Sequence, residues 1–128
     1  MRVLLDTSVL LGGQPDLGDA EVAISAISLA ELHFGVLVAK SAEIRAERLR
    51  RLGIIEKTFD ALPVDETVAR EYGRLSAAVT AASRQPRARF ADLLIAATAR
   101  VHSAELWTRN GDDFAALESL VRVRALTG

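Results

Sequence analysis

Arg2-Val3-Leu4-Leu5-Asp6-Thr7-Ser8 is the stretch on which the fold turns: a short apolar run closing on a carboxylate and two hydroxyls. Val3, Leu4 and Leu5 are contiguous rather than alternating with polar residues, the pattern of a strand buried on both faces of a parallel sheet. Asp6 then falls at the carboxyl end of that strand, and in open α/β sheets ligands bind beyond the carboxyl ends of the strands. Asp and Thr are also ordinary helix N-cap residues. This stretch alone therefore divides Asp6 evenly between a cap and a functional group.

Working outward, the segment from Thr7 to Gly13 suits one or two helical turns, punctuated by Gly12-Gly13 and Pro15. Val22 to Ile27 reads as a second buried strand. Ser28-Leu29-Ala30-Glu31 has the Ser-x-x-Glu spacing of a capping box, opening a helix that runs to about Lys40. From Ser41 to Phe59, Ile44, Leu52, Ile55 and Phe59 recur at helical intervals, with Arg45, Arg48 and Arg51 on a solvated face and Glu47 paired to Arg51. Leu62-Pro63-Val64 reads as a short edge strand, because proline cannot donate to a ladder. Asp65 caps a helix in which Val68, Tyr72, Leu75, Val79 and Ala82 keep a three-four spacing, the clearest amphipathic pattern in the chain.

Residues 83–88, with Pro86, Arg84 and Arg87, read as a loop. A helix follows from about Arg89 to His102, then a strand over Leu106, Trp107 and Thr108, a turn at Arg109-Asn110-Gly111, a short helix from Asp112 to Leu117 and a last strand from Val121 to Leu126. Strands alternating with helices predict one α/β domain over residues 1–128, with a central, mainly parallel sheet covered on both faces.

The bulk numbers agree with such a domain. The 128 residues are 50% hydrophobic and 26% charged, enough for a real core and too apolar for disorder. No cysteine is present, which removes disulfides and thiolate metal sites and suits a cytoplasmic protein. Asp6 interrupts the opening apolar run, so the start is not read as a secretory leader, and Glu31 and His33 interrupt the apolar stretch from Val22 to Ala39. A net charge of -1 gives no global attraction for nucleic acid, so phosphate binding would have to come from local arginine clusters. Only Lys40 and Lys57 among the 16 basic residues are lysine, a bias that in so alanine-rich a chain reflects genome composition more than phosphate recognition.

Asp6, Glu31, Asp92 and one of Asp112 or Asp113 share a position type, each at a strand end or in a helix's first turn. In a parallel sheet those ends lie along one edge, and the acids can converge there. Clustered carboxylates repel one another and are not assembled for stability. A hard cation such as Mg²⁺ or Mn²⁺ resolves the repulsion, because it takes oxygen ligands and retains waters for substrate phosphates. Each acid also has a structural explanation: Glu31 in a capping box, Asp92 on the helix dipole or paired to Arg89, Asp112 and Asp113 as caps.

Four blocks taken together resemble the PIN-domain ribonucleases, and more narrowly the VapC-type toxins of toxin–antitoxin pairs. They are Leu4-Leu5-Asp6-Thr7-Ser8, Ser28-Leu29-Ala30-Glu31-Leu32, Phe90-Ala91-Asp92-Leu93-Leu94-Ile95-Ala96-Ala97-Thr98-Ala99, and Leu106-Trp107-Thr108-Arg109-Asn110 followed by Asp113-Phe114. The resemblance implies a three-layer α/β/α sandwich and a Mg²⁺- or Mn²⁺-dependent endoribonuclease acting on RNA, tRNA or another structured RNA being a candidate. It further implies a homodimer neutralised by a VapB-type antitoxin. Asp6, Glu31 and Asp92 become the metal-site and catalytic acids. Where many members carry a fourth acid two residues after the threonine, this chain has Asn110, and Asp113 is chosen over Asp112 for its pairing with Phe114. Thr7, Ser8, Thr108 and Asn110 become supporting polar groups.

Arg84, Arg87 and Arg89 precede Asp92 and are candidate phosphate contacts. His33 and His102 lack a partner at ligand spacing, and Trp107 reads as core. Two other functions stay in play. One is a PIN-like binding module without catalysis, suggested by Asn110. The other is a phosphatase in which Asp6 attacks phosphorus, opposed by Ser8 standing where such enzymes carry a second aspartate.

Overall fold

The computed structural model describes residues 1–13, 15–82 and 89–127. The strand β1 (Arg2–Leu5) leads into α1 (Thr7–Leu11), and β2 (Glu21–Ser25) into α2 (Ala26–Leu37) and α3 (Ala42–Thr58). After β3 (Asp60–Leu62) come α4 (Glu66–Ala81) and α5 (Phe90–Val101), then β4 (Glu105–Thr108), a 3-10 helix (Gly111–Leu117) and β5 (Val123–Ala125).

The strands form one five-stranded sheet in the order β3-β2-β1-β4-β5, with every pairing parallel. The chain steps outward from β1 to β3, then crosses back to lay β4 on the other side of β1. Strand order therefore reverses at β1, and the crevice beyond the carboxyl ends of β1 and β4 is where such a sheet binds ligands.

Alternation along β1 assigns its residues to two cores. Leu4 faces α4 and α5, packing with Val68, Leu75, Val79, Leu93, Ile95 and Phe114. Val3 and Leu5 face α1, α2 and α3, packing with Val9, Leu10, Leu32, Val36, Leu52 and Ile55. The result is the three-layer α/β/α sandwich expected from the sequence. Residues Leu93 to Ala99 of α5 are buried without a break, so this helix is held between the sheet and α4, and Asp92 at its start is held with it.

Local expectations were corrected where tertiary contacts decide. The strand β2 ends at Ser25, not at Ile27, and Ser25 Oγ accepts the Ile27 N–H at 3.0 Å as the N-cap of α2. Ser28 and Glu31 thus lie inside the helix and form no capping box, and the helix stops at Leu37 rather than near Lys40. The edge strand β3 precedes Pro63 instead of containing it, so no ladder donor is lost. The last strand is confined to Val123–Ala125. Glu47 pairs with Arg50 at 2.6 Å rather than with Arg51. Arg45 and Arg48 are not merely solvated: they donate to the carbonyls of Leu37 and Gly35 at 3.3 and 2.6 Å, serving orphan acceptors at the end of α2. Asp65 does cap α4, accepting from the Val68 N–H at 3.0 Å. Among the described residues no helix is long and apolar enough to cross a membrane.

Candidate active site

Asp6 is both a cap and a buried charge. It sits at the N-cap of α1, only 4% exposed. Its Oδ1 accepts the Thr7 N–H at 2.8 Å, and its Oδ2 accepts the hydroxyls of Ser8 at 2.8 Å and Thr108 at 2.7 Å. Its own N–H donates to the Trp107 carbonyl at 2.9 Å, which ties the end of β1 to β4. The two supporting hydroxyls are themselves held by backbone: the Arg109 N–H donates to Ser8 Oγ and the Asn110 N–H to Thr108 Oγ1, each at 3.0 Å.

Glu31 lies on α2 facing α1, where Thr7 Oγ1 donates to its Oε1 at 2.7 Å. Asp92 occupies the first turn of α5 and is half-buried. Its carboxyl is pushed up to about 6, first by burial, then by the negative charges of Asp6 and Asp113 and, more weakly, Glu31, with Arg89 opposing. The four acids therefore share one electrostatic neighbourhood at the carboxyl edge of the sheet. Arg89 stands among them, its Nη1 2.5 Å from Asp113 Oδ1 and 3.9 Å from Asp92 Oδ2. That contact raises the guanidinium further above its ordinary range through the hydrogen bond and charge of Asp113.

The donor chemistry of the site, oxygen from carboxylates and hydroxyls, suits a hard divalent cation. Among the described residues no three acidic or histidine side chains close into a preformed cation cage. Arg89 supplies positive charge between Asp92 and Asp113.

Of the two candidates for the last acid, Asp113 faces Asp92, whereas Asp112 is exposed and absent from that charge field. Asn110 is exposed and contributes its backbone N–H. Arg89 is turned toward the acids, and Arg84 and Arg87 lie outside the described residues. His33 pairs with Glu56 at 3.7 Å on the surface, and His102 ends α5 and accepts from Arg2 through its carbonyl at 3.1 Å. Trp107 is buried, its Nε1 donating to Glu105 at 2.8 Å and its ring lying 4.6 Å below the Arg124 guanidinium.

Beside Thr7 and Glu31 opens an apolar groove of about 520 Å³, lined by Leu11, Ile27, Phe34 and Phe90 with Arg48 and Arg51 at its rim. Ser28 Oγ lies 2.9 Å from Thr7 Oγ1, a contact a helix-capping reading of Ser28 does not anticipate. The side chain of Arg109 reaches back to Gly13, donating to its carbonyl at 2.5 Å. No local pattern announces either contact, because each partner comes from a distant part of the chain.

A family model described as the PIN domain matches residues 3–120. The chain belongs to the PIN domain family. Ribonuclease VapC5 of Mycobacterium tuberculosis is 39% identical over 129 residues, spanning 96% of this chain and 93% of its own length. Toxin FitB of Neisseria gonorrhoeae is 34% identical, spanning 93% and 95% respectively. Among solved structures, that of VapBC-5, a member of the VapBC family of toxin–antitoxin systems from Mycobacterium tuberculosis, superposes with a TM-score of 0.83 at 37% identity. It covers 99% of this chain and 98% of that one. The match over residues 3–120 takes in nearly the whole chain.

Proposed function

We propose that this PIN domain is a divalent-cation-dependent endoribonuclease that hydrolyses RNA phosphodiester bonds as the toxin of a VapBC-type toxin–antitoxin pair. The observation that carries the reading is the shared charge field of Asp6, Glu31, Asp92 and Asp113 at the point where strand order reverses. Such repulsion costs stability unless it serves a cation. These four acids would hold Mg²⁺ or Mn²⁺, which when bound activates water and stabilises the leaving oxygen of a phosphodiester.

The residues of the chain divide the remaining work. Asp6, locked by three hydrogen bonds, provides an immobile negative charge at the back of the site. Thr7 holds one oxygen of Glu31, and Arg89 balances charge at Asp113. Direct attack by Asp6 on phosphorus is disfavoured, because Ser8 stands where such phosphatases carry a second aspartate.

RNA as substrate and an antitoxin as partner are supported by the names of the relatives, a ribonuclease VapC5 and a VapBC toxin–antitoxin structure. The apolar groove beside Glu31 is a surface that a VapB-type antitoxin segment would cover. A homodimer in the cytoplasm completes the proposal.

The test is cleavage of total RNA by wild type, Asp6→Asn and Asp92→Asn, with Mg²⁺ or Mn²⁺ and with EDTA, after circular dichroism has confirmed folding. Cleavage only by wild type and only without EDTA is expected. Unimpaired cleavage by both variants overturns the assignment. One observation favours a second reading, an RNA-binding PIN domain without turnover: Arg89 already neutralises Asp113 at 2.5 Å. Retained RNA affinity with no cleavage at any concentration of either metal would select it.

A further inference from the structure

We infer that Ser28 is a positioning residue for Glu31, acting through Thr7; the inference rests on the metal-dependent reading above. Hydroxyls inside helices ordinarily bond back to the carbonyl four residues earlier. Thr58, Thr80 and Thr98 do so in this protein, donating to Ile54, Ser76 and Leu94 at 2.6, 3.0 and 2.8 Å. Ser28 behaves differently. It is fully buried on α2, and its Oγ crosses to α1 to lie 2.9 Å from Thr7 Oγ1.

Counting protons gives this contact a direction. Thr7 has one hydroxyl proton, and it is given to Glu31 Oε1 at 2.7 Å. The proton between Ser28 and Thr7 therefore belongs to Ser28. The chain of donors runs from Ser28 to Thr7 to the Glu31 carboxylate, and each bond polarises the next.

Ser28 and Glu31 are three residues apart, so they share one face of α2, and Thr7 is the group that both reach. With Ser28 donating to it, the Thr7 hydroxyl has one acceptor site occupied and its single proton aimed at Glu31. Glu31, exposed on its helix, then keeps one oxygen fixed before any cation arrives. Outer partners of this kind typically change metal affinity or activity by about 10–100-fold when removed.

The experiment compares Mn²⁺ affinity by titration calorimetry, together with RNA cleavage, in wild type, Ser28→Ala, Thr7→Val, Thr7→Ser and the Ser28→Ala/Thr7→Val double variant. Loss of about tenfold in Mn²⁺ affinity is expected for Ser28→Ala. A comparable or larger loss is expected for Thr7→Val, with no additional loss in the double variant, and Thr7→Ser keeps wild-type affinity because it keeps the hydroxyl. Wild-type Mn²⁺ affinity in Ser28→Ala overturns the inference, as do losses that multiply in the double variant. If Ser28→Ala proves poorly folded, the contrast between Thr7→Val and Thr7→Ser decides: equal affinities in these two overturn the relay. A wild-type protein that binds no Mn²⁺ overturns the metal reading itself and this inference with it.

Discussion

Thr108 Oγ1 donates to Asp6 Oδ2 at 2.7 Å, joining residues 102 positions apart across the seam between β1 and β4. Thr108 is fully buried, and its oxygen also receives the Asn110 N–H. Thr108→Val keeps the shape and removes both bonds, one of them to a charged group. Hydrogen bonds to charged groups contribute about 1.5–3 kcal/mol each, so a destabilisation of that order is expected in urea unfolding. Ser8→Ala, at a part-buried position, should cost less.

Asp92 sets a conflict between activity and stability. Its carboxyl stands at about 6 in the folded protein against an ordinary 3.8. The folded state therefore holds a proton that the unfolded chain has released, and stability falls as pH rises from about 4 through 6, after which the full cost remains. The difference corresponds to about 3 kcal/mol at most, and solvent at a side chain this accessible reduces it to about 1–2 kcal/mol. Asp92→Asn should melt higher than wild type at pH 8, with the advantage vanishing toward pH 4, and should lose RNA cleavage. Thermal melts of both proteins across this range check the sign.

Arg89 works against the rise at Asp92, so Arg89→Gln should move the Asp92 carboxyl to a still higher pH. Carboxyl ¹³C chemical shifts followed against pH report this directly. The ion pair of Arg89 with Asp113 involves side chains about one-third exposed, so its own contribution to stability is below about 1 kcal/mol. A large change in stability with no movement of Asp92 would contradict the placement of Arg89 among the acids.

These relationships mark where sequence reading succeeds and where it stops. The contiguous apolar run Val3-Leu4-Leu5 and the three-four spacing of Val68, Tyr72, Leu75 and Val79 are local patterns, and these alone place β1 and α4. Ser25 and Ser28 are both serines near the start of α2, and Glu31 three residues after Ser28 pointed to the wrong one. Ser25 caps the helix through the Ile27 N–H, while the Ser28 hydroxyl lies against Thr7 on another helix. Asp112 and Asp113 are adjacent in sequence and separable only once the 3-10 helix turns one of them toward Arg89, 24 residues earlier. Chemistry at the end of a strand is legible as a type of position, whereas the partner that fixes each side chain is a long-range fact.

Gly12 and Arg109 offer a final case of such a partner. A Cβ on Gly12 would lie 2.6 Å from Arg109 Nε, although the backbone at Gly12 has an ordinary φ of -97°. The need for glycine is therefore set by the arginine and not by the turn. Arg109 also donates to the Gly13 carbonyl, and its N–H donates to Ser8 Oγ, so the same residue anchors the end of α1 and one of the hydroxyls on Asp6. In Gly12→Ala the flexible guanidinium would be pushed aside and that anchor lost, at about 0.5–1.5 kcal/mol for the hydrogen bond given up. The same substitution in an Arg109→Ala background should cost almost nothing, since the obstacle is gone. Urea unfolding of the four proteins in this cycle gives the coupling, and an equal cost of Gly12→Ala in both backgrounds would show that backbone conformation, not Arg109, requires the glycine.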